Sequence, residues 1–227
     1  MVTARRRGRG TRWRRLTADR QPWPTCPAST RTLAVGFGIG LATVYQYIAE
    51  ADEVLAALAP TLEQARSGAA NKAFAILDGT LLSIVRIAAD RSYHSGKRER
   101  HGMNIQVIAD AFGLLWASPA LLGAIHDVKA ARTHDIIEAP IQADIRTWAD
   151  KGIRQPRAIR VPYGGRWSTL PAGKRAVNSS RARLRAVGKQ ANATLKSWRL
   201  LRKLRCSTAR ITDIVKAVLS LRLAMSV

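Results

Sequence analysis

Between Lys151 and Thr212 the sequence contains no aspartate and no glutamate. Acid is scarce throughout: 15 Asp and Glu stand against 38 Lys and Arg, giving a net charge of +23 and a pI near 11.5. That balance excludes a charge-neutral surface and points to a polyanionic partner, of which nucleic acid is the foremost. Cysteine is nearly absent. Cys26 and Cys206 lie far apart without metal-like spacing, which excludes a disulfide framework and a cysteine zinc site and reads as two free cytoplasmic thiols. No uninterrupted apolar run is long enough to span a bilayer, and no signal-peptide-like segment follows the Arg-rich start, so no membrane partner is expected. Internal repeats are also lacking. What is present is 47% hydrophobic residues over 227 positions, enough for one ordinary domain and a small accessory one.

Seven arginines fall within residues 1–15, with Trp13 among them. Such an arm can follow a phosphate backbone, with Arg12, Arg14 and Arg15 as candidate DNA contacts, and the same composition fits a solvated tail. Pro22, Pro24 and Pro27 interrupt any helix over 21–28. Residues 1–31 therefore read as a basic, proline-containing arm with little fixed order. The pattern then predicts a short helix over 32–35, a glycine turn over 36–40, a helix over 41–52, and continued helix over 53–70 with Leu55, Leu58, Leu62 and Ala65 on one side. Helix, turn and helix is the outline of a DNA-binding helix-turn-helix region over 32–70, whose second helix offers Thr43, Gln46 and Tyr47 to base edges; a plain helical hairpin has the same outline.

From residue 71 to 227 the pattern changes. An apolar run over 73–77 ends at Asp78, and β-like runs over 104–109 and 114–118 flank the turn signal Asp110-Ala-Phe-Gly. A helix over 126–137, a strand over 145–149 ending at Asp150, a strand or loop over 160–163, a long basic helix over 179–204 and a closing apolar helix over 211–223 complete a mixed α/β core. Neighbouring strand ends can bring Asp78 and Asp150 together. Carboxylate clusters of this kind hold Mg2+ or Mn2+, hard cations that prefer oxygen, and support two-metal phosphoryl transfer. Singly, each aspartate is an ordinary turn or strand-end residue.

The basic helix carries Arg181, Arg183, Arg185, Lys189, Lys196, Arg199, Arg202, Lys203 and Arg205 around an apolar stripe of Leu184, Val187, Ala191, Leu195, Trp198 and Leu201. It reads either as a DNA-backbone contact surface or as a solvated face. Lys97, Arg98 and Arg100 add to the same charge. His94, His101 and His134 have no ligand spacing.

Several motifs occur together: Gly38-Ile39-Gly40-x3-Val44-Tyr45-x2-Ile48-x-Glu50-Ala51, Ile76-Leu-Asp-Gly-Thr80, Ser95-Gly-Lys97, His101-Gly-Met-Asn104, Trp116-Ala-Ser-Pro119, His126-Asp127, Ala149-Asp-Lys-Gly152 and the run 195–208. Jointly, over about residues 32–223, they resemble a DDE transposase with an RNase-H-like core, of the Harbinger-related branch of bacterial insertion sequences and actinobacterial-like. The resemblance implies Asp78 and Asp150 as the first two catalytic carboxylates, with Asp127 as a further candidate metal ligand. It also implies a two-metal site for Mg2+ or Mn2+, double-stranded transposon-end and target DNA as substrates, a homo-oligomer on that DNA, and a cytoplasmic, nucleoid-associated setting. The reaction implied is hydrolytic end cleavage followed by attack of a 3′-hydroxyl on target DNA.

The third acid is expected in Arg-x3-Glu-x6-Lys. Arg185 and Lys196 match this pattern, and Lys189 stands at the position of the glutamate. A protonated ammonium only donates, so it cannot ligate a cation. Ile153 replaces an expected tyrosine, and the proline-rich 21–28 replaces an apolar helix, as a local frame slip would leave it. The expectation is a degenerate copy with impaired or lost catalysis. The alternatives are a non-catalytic DNA-binding protein or regulator derived from a transposase, or a product without function.

Overall fold

The computed structural model describes residues 27–70, 72, 74–85, 91–137, 147–149, 159–160, 162–202 and 204–225. Its centre is a mixed sheet. Strand β1 (Ala75–Ser83) pairs antiparallel with β3 (Arg100–Asp110) from Ile76↔Ala109 to Ser83↔Gly102. Strands β2 (His94–Ser95), β4 (Gly113–Ala117) and β5 (Leu121–Leu122) also pair with β3. On the other side of β1 the direction changes: β6 (Thr147–Trp148) is parallel to β1, and β7 (Ile159–Arg160) is parallel to β6. This mixed α/β arrangement is an RNase-H-like core, as expected.

Both faces of the sheet are covered, which is why β1 and β3 are buried at nearly every position, polar Thr80, Asn104, Gln106 and Asp110 included. On one face Leu82, Met103, Ile105 and Val107 pack with Ala191 and Leu195 of helix α5 (Ala172–Ser197) and Ile211, Val215 and Leu219 of α6 (Thr208–Ala224). The other face joins Leu77, Ile108 and Trp116 to Ala65 and Ala69 of α3 (Leu62–Ala70) and to Ala131 of α4 (Asp127–Thr133). The β3–β4 turn is set by Asp110, whose Oδ1 accepts the N–H groups of Phe112 and Gly113 at 2.8 and 3.0 Å.

At the N-terminal side, α1 (Pro27–Phe37) meets α2 (Leu41–Ala57) at a bend of 109°. Gly38, with φ of 65°, makes that turn in a conformation that L side chains avoid. Helix α2 is anchored on α6. Buried Asp52 pairs with Arg210, and Ser220 Oγ donates to the Leu55 carbonyl at 2.7 Å. No single helix among the described residues is long and apolar enough to cross a membrane.

Four sequence expectations are corrected. Helix α1 begins at Pro27, within the segment read as an arm; proline fits a first helical turn because its missing donor would be unpaired there. Residues 53–70 are two helices. Pro60 separates them, and α3 opens on a reciprocal cap in which Thr61 Oγ1 accepts from Gln64 N and Gln64 Oε1 accepts from Thr61 N, at 3.2 and 2.8 Å. Helix α4 stops at Thr133, before Asp135 at φ 53°. Asp78 lies in the middle of β1, not at a strand end, because the run Leu-Leu-Ser after Thr80 continues the ladder with β3.

Candidate active site

Alternation along β1 places Ile76, Asp78, Thr80 and Leu82 on one face of the sheet. Helix α5 lies on that face. It comes close because residue 188 is glycine: a Cβ there would stand 2.6 Å from Ile76 Cγ2 and 3.7 Å from Asp78 Cβ. One turn further on, Asn192 Nδ2 donates to Asp78 Oδ2 at 2.7 Å. Asp78 is half-buried, and Asn192 is 8% exposed. The amide oxygen of Asn192, Oδ1, is buried without a hydrogen-bond partner among the described residues.

Residues of a helix advance about 100° each, so Arg185, Lys189, Asn192 and Lys196 form one stripe. Its members differ in exposure. Lys189 is exposed, Arg185 and Lys196 are half-buried, and Asn192 is the member bonded to Asp78. Burial pushes the Lys196 ammonium below the usual lysine range. The charges of Arg98 and Arg100 act in the same direction, and Asp78 acts against them. Arg98 also donates from Nη2 to the Gly79 carbonyl at 2.8 Å, placing a second cation beside Asp78.

The front of α5 is held to the far side of the sheet. The Arg181 guanidinium lies 5.2 Å from the Trp148 ring centre and 5.0 Å from that of Tyr163. Asn178 clasps the Tyr163 backbone, accepting its N–H at 2.9 Å and donating to its carbonyl at 3.2 Å. Asp150 lies outside the described residues. The β1–β6 pairing is described through Ile76↔Trp148, and Asp78 follows Ile76 by two residues as Asp150 follows Trp148.

Asp127 is placed elsewhere. It opens α4, and its Oδ1 would meet a Cβ on Gly79 at 2.7 Å, on the sheet face opposite to Asp78. Both its oxygens are engaged: Lys97 Nζ reaches Oδ2 at 2.8 Å, and Asn104 Nδ2 reaches Oδ1 at 3.0 Å. Burial alone would raise its pKa, but Lys97, Asn104 and Arg98 outweigh burial and hold the carboxyl below the usual range. The structure does not bring Asp127 to Asp78. Lys97 turns to this second cluster, beside a pocket of about 190 Å3 lined by Thr80, Lys97, Asn104 and Asp127 among others.

Of the DNA-contact candidates, Gln46 and Tyr47 are exposed on α2 and Thr43 is half-buried. Gln46 Nε2 donates to Glu50 Oε1 at 3.0 Å. Arg199 is exposed in the turn after α5. Arg12, Arg14, Arg15, Cys26 and Ile153 lie outside the described residues. Sequence reasoning missed Asn192 and Gly188. Asn192 was within reach of helical periodicity, since it follows Arg185 by seven and so shares its stripe.

For a divalent cation, the donors present fit in kind: a carboxylate and an unpartnered buried amide oxygen are hard ligands of the type Mg2+ and Mn2+ take. Among the described residues, no three His, Cys, Asp or Glu side chains converge. The sequence matches the family described as DDE superfamily endonuclease over residues 77–222, from β1 into α6. No curated protein and no solved structure matches it. An acid-bearing β1 crossed by a basic helix, within a match that takes in most of the sheet, makes the chain a member of the DDE superfamily endonucleases.

Proposed function

We propose that the chain is a transposase of a bacterial insertion sequence whose end-cleavage and strand-transfer chemistry is impaired or lost through Lys189. The observation that carries this reading is Asp78 on β1, facing the α5 stripe that includes Lys189. In this reading Asp78 and Asp150 hold Mg2+ or Mn2+; the parallel pair Ile76↔Trp148, two residues before each aspartate in sequence, supports it. When bound, such ions activate an attacking oxygen and stabilise a leaving one in in-line phosphoryl transfer. Lys189 adds positive charge to a stripe already carrying Arg185 and Lys196, where a glutamate would add a ligand.

The remaining assignments belong to the same proposal. Residues 1–31 act as a basic arm, 32–70 as the DNA-reading region, with Thr43, Gln46 and Tyr47 toward bases, and 71–227 as the catalytic domain. The 109° bend between α1 and α2 falls within the helix-turn-helix range and supports the second assignment. Arg185, Lys196 and Arg199 contact the backbone of transposon-end DNA, and the protein assembles on it as a homo-oligomer. A second reading, a non-catalytic DNA-binding regulator, is favoured by the same charge at residue 189.

The test is a Mn2+-dependent cleavage assay on candidate end DNA in the Lys189→Glu background, with Asp78→Asn and Asp150→Asn added singly. Each second change should abolish cleavage while leaving DNA binding intact. Cleavage that survives Asp78→Asn would reject the site.

A further inference from the structure

We propose that Asn192 supplies, through Oδ1, an oxygen ligand to a divalent cation shared with Asp78, independently of residue 189. The inference rests on the reading of Asp78 as a metal-binding carboxylate. Its own basis is the state of the amide. Asn192 is 8% exposed, so its polar atoms have left bulk water. Nδ2 is spent on Asp78 Oδ2 at 2.7 Å. Among the described residues Oδ1 has no donor, and leaving a buried acceptor unmade is costly. A cation held by Asp78 would remove that cost, and the Asn192–Asp78 hydrogen bond fixes which end of the amide remains open to it.

The chemistry is compatible. Amide carbonyls are hard donors that join carboxylates around Mg2+, Mn2+ and Ca2+. A neutral donor adds no charge, so the site would hold a cation more weakly than one with a further carboxylate. The basic surroundings of Lys196, Arg98 and Lys189 act in the same direction. The site so described retains metal while lacking the third negative charge that the reaction uses. Asn192 escapes a search of the sequence for replacement acids, because the compensating atom belongs to an amide.

The test is Mn2+ binding to the full chain, followed by the electron-paramagnetic signal of free Mn2+, with Mn2+-induced thermal stabilisation as a second readout. The parent, Asn192→Leu, Asn192→Asp and Asp78→Asn are compared, each also in the Lys189→Glu background. Asn192→Leu should weaken Mn2+ binding about tenfold or more. Asn192→Asp should tighten it and enlarge the thermal shift, which a residue serving only as a hydrogen-bond partner of Asp78 would not do. If Asn192→Leu and Asn192→Asp bind Mn2+ like their parents while Asp78→Asn loses it, Oδ1 faces only water and the inference fails alone. If Asp78→Asn also binds like its parent, the metal-site reading itself is wrong.

Discussion

Asp78 and Asp127 are both half-buried aspartates near the centre of the sheet, yet their surroundings differ in kind. Asp127 meets Lys97, Asn104 and the charge of Arg98, so it is a finished ion-pair cluster. Asp78 accepts from an amide whose own oxygen is unmatched among the described residues. The depressed Asp127 carboxyl stabilises the fold above the unfolded aspartate value, and this contribution is lost as pH falls below about 4 and through its folded value. Asp127→Asn should therefore cost about 1–2 kcal/mol at neutral pH, and the cost should shrink as pH falls below about 4 in urea-unfolding curves. A deficit unchanged by acid would mean that the cluster acts through packing alone. The sequence named Asp78 from its motif. It also paired Asp127 with the same site, because the side to which a strand neighbour such as Gly79 points depends on register, and single residues do not carry register.

At the scale of elements, α5 and α2 show what spacing can and cannot reveal. The basic-apolar periodicity located most of α5, which runs from Ala172 to Ser197 and not over 179–204, but its close seat on β1 depends on Gly188. Gly188→Ala should destabilise the protein by about 1 kcal/mol, because overpacking against Ile76 outweighs the gain in helix propensity. Gly173 lies on the same helix, and a Cβ added there would meet nothing within 4 Å, so Gly173→Ala should stabilise by up to about 1 kcal/mol. Equal effects in thermal melts would contradict the packing explanation. For α2, apolar spacing gave a helix but not its partner. The Asp52–Arg210 pair joins residues far apart in sequence and ties α2 to α6. Burial raises the Asp52 pKa despite Arg210, with Asp213 and Glu53 adding to the rise. Arg210→Met leaves that carboxylate uncompensated and should cost about 2–3 kcal/mol at pH 7. Protonating Asp52 relieves the penalty, so the deficit should shrink as pH falls toward 5; a constant deficit would rule out the charge explanation.

For the whole molecule, fold class was legible because strand runs and helix periods are local signals. The site was legible in part. Asp78 and the α5 stripe followed from motif spacing, whereas the bond from Asn192 to Asp78 became visible only when the helix was laid on the strand. Charge is the other global property. With +23 on the chain, DNA binding should fall steeply with salt, and Arg199→Ala should reduce the slope of log affinity against log salt by about 1 while weakening all sequences alike. A sequence-selective loss would place Arg199 at base edges instead.

The role given to residue 189 is decided by Mn2+-dependent cleavage of end DNA, comparing the chain with Lys189 and its Lys189→Glu variant at equal DNA occupancy. Cleavage is expected from the glutamate variant and little or none from the parent, since in the proposed site one ligand replaces one opposing charge. Cleavage by the parent at the variant's rate would show that residue 189 is not the third position of the site.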